Sequence, residues 1–100
     1  AQTVTAFSDK RLKKNVEDIK QPLDLVNKLR GVTFNWNADE ECKQPEYGFI
    51  AQEVQENFPS LVNKNGVSGI LSVDYMKVVS ILCGAVQDLS QQVQRLQAQA

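Results

Sequence analysis

Residues 75–100 read YMKVVSILCGAVQDLSQQVQRLQAQA, and this stretch decides the fold. Tyr75, Val79, Leu82, Val86, Leu89, Val93, Leu96 and Ala100 follow alternating steps of four and three, the heptad pattern of a coiled-coil seam. The pattern predicts one helix from about Asp74 to the end of the sequence. Val78, Ile81, Cys83 and Ala85 add a second apolar surface over its first half. That surface lets the first half pack on its own domain while the seam meets a partner chain. Beyond Ser90 the helix is rich in glutamine and has no other core to join, so it needs another helix beside it. Valine alternating with leucine along the seam favours two strands in model parallel coils. Gly84 costs about 1 kcal/mol in a helix interior and permits close packing there.

Upstream, Leu61-Val62 and Val67 to Val73 flank Asn65-Gly66, a strong turn dipeptide, and predict a small hairpin in which Gly69 marks a bulge or a close backbone approach. Tyr47 to Asn57 (YGFIAQEVQEN) reads as a helix, because Ile50, Val54 and Phe58 recur every fourth residue and Pro59 ends the run. Glu53 on this helix is either an ordinary exposed carboxylate or an assistant to the serine–lysine pair described below. Ala38 to Pro45 (ADEECKQP) is an acidic surface loop without the alternating oxygen ligands of a calcium site. Val32, Phe34 and Trp36 alternate with polar residues as a half-buried strand, which makes Trp36 a core residue. Pro22 to Arg30 reads as a helix opened by proline, with Gly31 as its left-handed exit.

One hundred residues suit one small domain with a modest core, for which self-association is a source of stability. Eleven basic and twelve acidic residues argue against a chain whose main task is gripping nucleic acid, and the local run Lys10, Arg11, Lys13, Lys14 reads as a solvated face. With no histidine, Cys42 and Cys83 do not form a metal site and read as free thiols of a reducing compartment; no metal or cofactor is expected. No apolar run approaches the ~20 residues of a membrane span. The sequence does not begin with methionine, so Ala1 to Phe7 reads as the end of an upstream region.

The stretch that carries chemistry is Ser8-Asp9-Lys10-Arg11-Leu12-Lys13. A seryl hydroxyl is a poor nucleophile until a base takes its proton, and here the candidate bases are carboxylates and lysine amines. Lys13 is the candidate. A lysine in water keeps its proton up to a pKa of about 10.4, so a lysine base must first be desolvated. On a continuous helix, positions five apart sit ~140° from each other. A Ser8–Lys13 contact within one chain therefore needs a non-helical turn at Ser8, or else the lysine comes from a neighbour. The plainer alternative stands beside it: Ser8 or Asp9 caps a short helix beginning at Lys10, and Lys13 is one solvated charge among several.

Four blocks in order resemble one known family: Ser8 to Val16 (SDKRLKKNV), Leu29 to Trp36 (LRGVTFNW), Tyr47 to Val54 (YGFIAQEV) with Phe58-Pro59, and Val73-Asp74-Tyr75 before the terminal helix. The chain resembles the intramolecular chaperone auto-processing domain found at the C-termini of bacteriophage tail fibres, neck appendages and endosialidase tailspikes, with a relative in the myelin regulatory factor. The resemblance implies an α+β, mainly helical domain with small sheet or hairpin elements and a long C-terminal helix forming a homotrimeric coiled coil. It implies residues 1–7 as the end of a fibre or stalk and residues 8–100 as the chaperone domain, with the coiled-coil helix at about 74–100. It further implies that the domain assists folding of its own upstream fibre in the host cytoplasm during phage assembly and then severs itself from the mature virion fibre. Carried over residue by residue, Ser8 is the nucleophile, Lys13 the general base and Phe7-Ser8 the bond broken; Tyr75, Val79, Leu82, Val86, Leu89, Val93 and Leu96 become a trimer seam. The implied partners are two further copies and the upstream region, with neither nucleic acid nor membrane. The competing readings are a non-cleaving structural trimerisation module and, less well supported by the near-neutral charge, a nucleic-acid-binding module using Lys10 to Lys14.

Overall fold

A computed structural model describes residues 5–99. The expected upstream segment Ala1 to Phe7 lies partly outside them, at Ala1 to Val4, and so does the last seam position, Ala100. The elements are α1 (Pro22–Val26), β1 (Val32–Phe34), β2 (Glu46–Gly48), α2 (Ala51–Asn57), β3 (Val62–Lys64), β4 (Leu71–Val73) and α3 (Tyr75–Gln99), with 3-10 turns at Lys10–Leu12 and Pro59–Leu61. β1 pairs antiparallel with β2, and β3 with β4, as two separate two-stranded sheets. The fold is α+β, as expected.

α3 organises the rest. Its first turn is fixed from two sides: Asp74 N–H donates to the Leu61 carbonyl at 2.7 Å, and Asp74 Oδ1 accepts from Lys77 N–H at 3.3 Å as an N-cap. Val78, Ile81 and Ala85 are buried on the face toward the domain. Val54 of α2 and Leu61 join Val78 and Ile81 in the core, with Leu25, Leu29, Phe49, Phe58, Val62 and Val73 packed around them. α1 lies across α3 at Gly84, where a Cβ would stand 3.0 Å from Pro22 Cβ and 3.2 Å from its Cγ. The missing side chain is what lets the helices approach, and the proline ring cannot bend away. Gly84→Leu is therefore expected to cost ~1–3 kcal/mol by overpacking, read as a lowered midpoint in denaturant. Val78→Ala, which hollows the core, is expected to cost about 1–3 kcal/mol in the same measurement.

About a quarter-turn round α3 from this buried stripe, the heptad stripe is left largely exposed among the described residues. Tyr75, Val79, Leu82, Val86, Leu89, Val93 and Leu96 are all between 41 and 66% exposed. The whole chain exposes 8829 Å², whereas a compact monomer of this mass exposes about 5,700 Å². Its radius of gyration is 17.4 Å, against about 13 Å for a compact chain of this length. A single copy leaves far more surface in water than its size requires.

Several local expectations need correction. The first helix ends at Val26 rather than Arg30, because Lys28 and Leu29 N–H donate three residues back, to Leu25 and Val26 carbonyls, in a tighter turn that brings Leu29 to the core. Gly31 is not the left-handed exit; among the described glycines only Gly69 has a positive φ, at 74°. Trp36 is not a core residue: it is 63% exposed and touches Phe34 edge-on, with ring centroids 4.9 Å apart. In the observed register Phe34 faces Glu46, so the next pair would place Asn35 against Pro45, whose missing N–H ends the ladder. The alternation runs on in the sequence, but no strand remains beside it.

Tyr47 lies in β2 opposite Thr33 instead of opening a helix, and α2 starts only at Ala51, after an extended Ile50. The hairpin is real but wider than an Asn-Gly turn. Lys64 pairs with Leu71, Asn65 Oδ1 accepts from Val67 and Ser68 N–H at 2.9 Å, and Gly69 takes the left-handed position. Val67, expected in a strand, stands fully exposed on the loop.

Candidate active site

Thr5 to Asp9 has no regular structure, and Lys10–Leu12 forms one 3-10 turn. Asp9 sets this turn. Its backbone is extended, its carbonyl accepts from Leu12 N–H at 3.0 Å, and its Oδ1 accepts from Arg11 N–H at 2.8 Å. Arg11 then folds back, its Nε reaching both Asp9 oxygens at 3.2 Å and its Nη2 reaching Oδ2 at 2.8 Å. This guanidinium, with the backbone N–H behind it, holds the Asp9 carboxyl below the usual carboxylate range. The pair is exposed, so it contributes little to stability. Its consequence is geometric, since it locks the turn.

Lys13 leaves the turn in extended conformation, with φ −120° and ψ 150°. With extended backbone on either side of one tight turn, positions five apart meet, which a continuous α-helix forbids. Lys13 Nζ donates to Ser8 Oγ at 2.9 Å. The structure thus brings Ser8 and Lys13 together within one chain. Both side chains are exposed, and so is Phe7 on the other side of the Phe7–Ser8 bond. The plainer reading is partly realised as well, because Asp9 does cap the turn.

Glu53 does not serve this pair. Arg30 Nε and Nη2 fork onto its two oxygens at 2.9 and 2.6 Å, and that guanidinium draws the Glu53 carboxyl below its usual range. Arg30, which leaves α1, is thereby tied to α2. Sequence reasoning missed this link and the Arg11 clamp on Asp9. The clamp had a signal, since an Asp at the head of a turn and an Arg two residues on can close a ring; the Arg30–Glu53 link spans 23 positions and had none. Cys42 and Cys83 are free and exposed. Among the described residues no Cys, Asp and Glu side chains group as metal ligands would, and no helix is long and apolar enough to cross a membrane.

The fold and site together are those of an α+β domain whose long helix keeps an exposed heptad stripe and whose entry turn holds a serine against a lysine. The sequence pattern of a peptidase family described as chaperone of endosialidase matches residues 8–63, and the chain belongs to that family. The match begins at Ser8. The chain is also 35% identical, over 98% of its length, to the long tail fiber protein Gp37 of Enterobacteria phage K3, of which it covers 8%. It is 25% identical over 92% of its length to the same-named protein of Salmonella phage S16, covering 13% of it, and 30% identical over 89% to that of Enterobacteria phage Ox2, covering 38%. The chain spans about a tenth of the longer of these relatives.

Proposed function

We propose that residues 8–100 form a C-terminal intramolecular chaperone of a phage tail fibre, which trimerises along the α3 seam, assists folding of the upstream region and then cuts itself free at Phe7–Ser8. Residues 1–7 are then the end of the fibre. The observation that carries the reading is the 2.9 Å contact from Lys13 Nζ to Ser8 Oγ at the point where the family match starts. Kinship to long tail fibre proteins supports a fibre as the client and host cytoplasm as the place of assembly.

The chemistry follows from the residues. Ser8 Oγ, its proton taken by a neutral Lys13 amine, attacks the Phe7 carbonyl; the Phe7–Ser8 amide breaks as the ester forms, the proton passes to the leaving Ser8 nitrogen, and water then hydrolyses the ester. In the single chain the pair is open to water, whereas a lysine base requires desolvation. Assembly of three chains would provide the cover, and cutting would follow folding. No cofactor enters.

The exposure of the pair also favours a second reading, a trimerisation module that stays attached and in which Lys13 only braces the turn. Incubating the chain behind a longer stretch of its upstream sequence separates the two. A new N-terminus at Ser8, found by mass spectrometry, is expected; a polypeptide that stays whole in a native assembly supports the clamp.

A further inference from the structure

β1–β2, the start of α2 and the β3–β4 hairpin enclose an open groove of about 910 Å³, lined among others by Trp36, Tyr47, Phe49, Ile50, Ile70 and Tyr75. Its rim is apolar and uncovered, with Tyr47 86% and Ile70 71% exposed. Tyr75 is also the first seam residue, so the groove opens at the base of the helix face that lacks a partner. Glu46 lines the groove, and the loop joining the lining residues Asn37 and Glu46 carries Asp39, Glu40 and Glu41 against Lys43 alone, an acidic border.

A second feature mirrors it. Residues 10–20 have no regular structure beyond one turn, and they leave Leu12, Val16 and Ile19 in water, Val16 at 78%. The segment is basic, with Lys10, Arg11, Lys13, Lys14 and Lys20 against Glu17 and Asp18. Arg11 is spent on Asp9 and Glu41 on Lys43. Among the described residues Lys10, Lys14, Glu40 and Glu46 have no ion-pair partner.

We propose that residues 10–20 of one copy lie in the groove of a second copy, with Val16 and Ile19 against the Trp36–Tyr47 wall and Lys10 and Lys14 toward the acidic border. Opposite charge sets the direction and apolar contact supplies the affinity. The inference rests on the proposed association through the seam and deepens it. Ser8 and Lys13 sit at the head of this segment, so seating it removes water from the pair, and the neighbour becomes part of the site.

Trp36 is the sole tryptophan and reports on the groove. As concentration rises, its emission is expected to shift to the blue and its quenching by acrylamide to fall severalfold, in step with the mass measured by light scattering. In Val16→Asp/Ile19→Asp, whose changes fall on exposed positions, the assembly is expected to persist while Trp36 stays quenchable. Mixing that variant with an excess of Trp36→Phe chains is expected to restore protection, because the segment then comes from another copy. As an independent check, Lys10→Glu/Lys14→Glu should lose protection and Glu40→Lys/Glu46→Lys in the same chain should recover it. Assemblies in which Trp36 is as quenchable as in the monomer, protection that survives the double aspartate change, or protection that mixing does not restore would each overturn this inference and leave the seam standing. A monomer at every concentration would overturn both.

Discussion

Ser8→Ala is expected to give a chain that folds and self-associates as before and stays joined to whatever precedes residue 8. The side chain is exposed, and its hydrogen bond comes from Lys13 Nζ, so nothing in the core depends on it. The attacking atom, however, is gone, and without it no ester forms. Lys13→Met keeps the aliphatic stem and removes the base; cutting is expected to slow by about 10²–10⁴, the usual worth of a positioned general base. Lys13→Arg should be as slow, since a guanidinium keeps its proton in any protein environment. Quantifying cut and uncut polypeptide by mass spectrometry over time tests all three. A Ser8→Ala chain still cut before residue 8 would remove Ser8 from the role of nucleophile.

The second large effect belongs to the seam. Leu89 is 49% exposed and lies on α3 beyond the buried trio Val78, Ile81 and Ala85. Leu89→Asp is therefore expected to spare the fold of one copy and to destroy assembly. Assembly can bury only the half of Leu89 still exposed, about 0.7–1.5 kcal/mol per chain. Over three chains, at tenfold per 1.4 kcal/mol, the assembly constant should fall by roughly 10²–10³, before the repulsion of three carboxylates is counted. Sedimentation should report a monomer with unchanged helix content. A wild-type dimer would restore the two-strand preference of alternating Val and Leu. An unaffected oligomer of Leu89→Asp would place the interface elsewhere.

The long helix was legible because its apolar positions fall on two stripes of unequal length; the structure buries Val78, Ile81 and Ala85 of the shorter, leaves Cys83 exposed against expectation, and leaves the heptad stripe largely in water. The serine–lysine contact was legible as a condition: five positions cannot meet on an α-helix, and a one-turn 3-10 break supplies the exception. Trp36 was misread because alternation records which face a residue would take in a strand, and says nothing of whether a partner strand reaches that far. Pro45 held that information, but only once the register with Phe34 and Glu46 was known. Tyr47 was misread for the opposite reason, since an apolar spacing of four beginning at Ile50 was extended backward over residues that pair with β1. The groove was invisible because its walls come from residues near 36, 47, 70 and 75, which no local pattern connects.

The central claim is that assembly comes before cutting and makes it possible. Native mass spectrometry of the longer polypeptide, sampled from synthesis to completion, reads oligomeric state and backbone integrity in one spectrum. The result expected is an uncut trimer first, then a trimer severed between Phe7 and Ser8, with monomers remaining whole. Monomers severed at the same rate, or a native trimer that never loses residues 8–100 although Ser8 and Lys13 are both present, would contradict it.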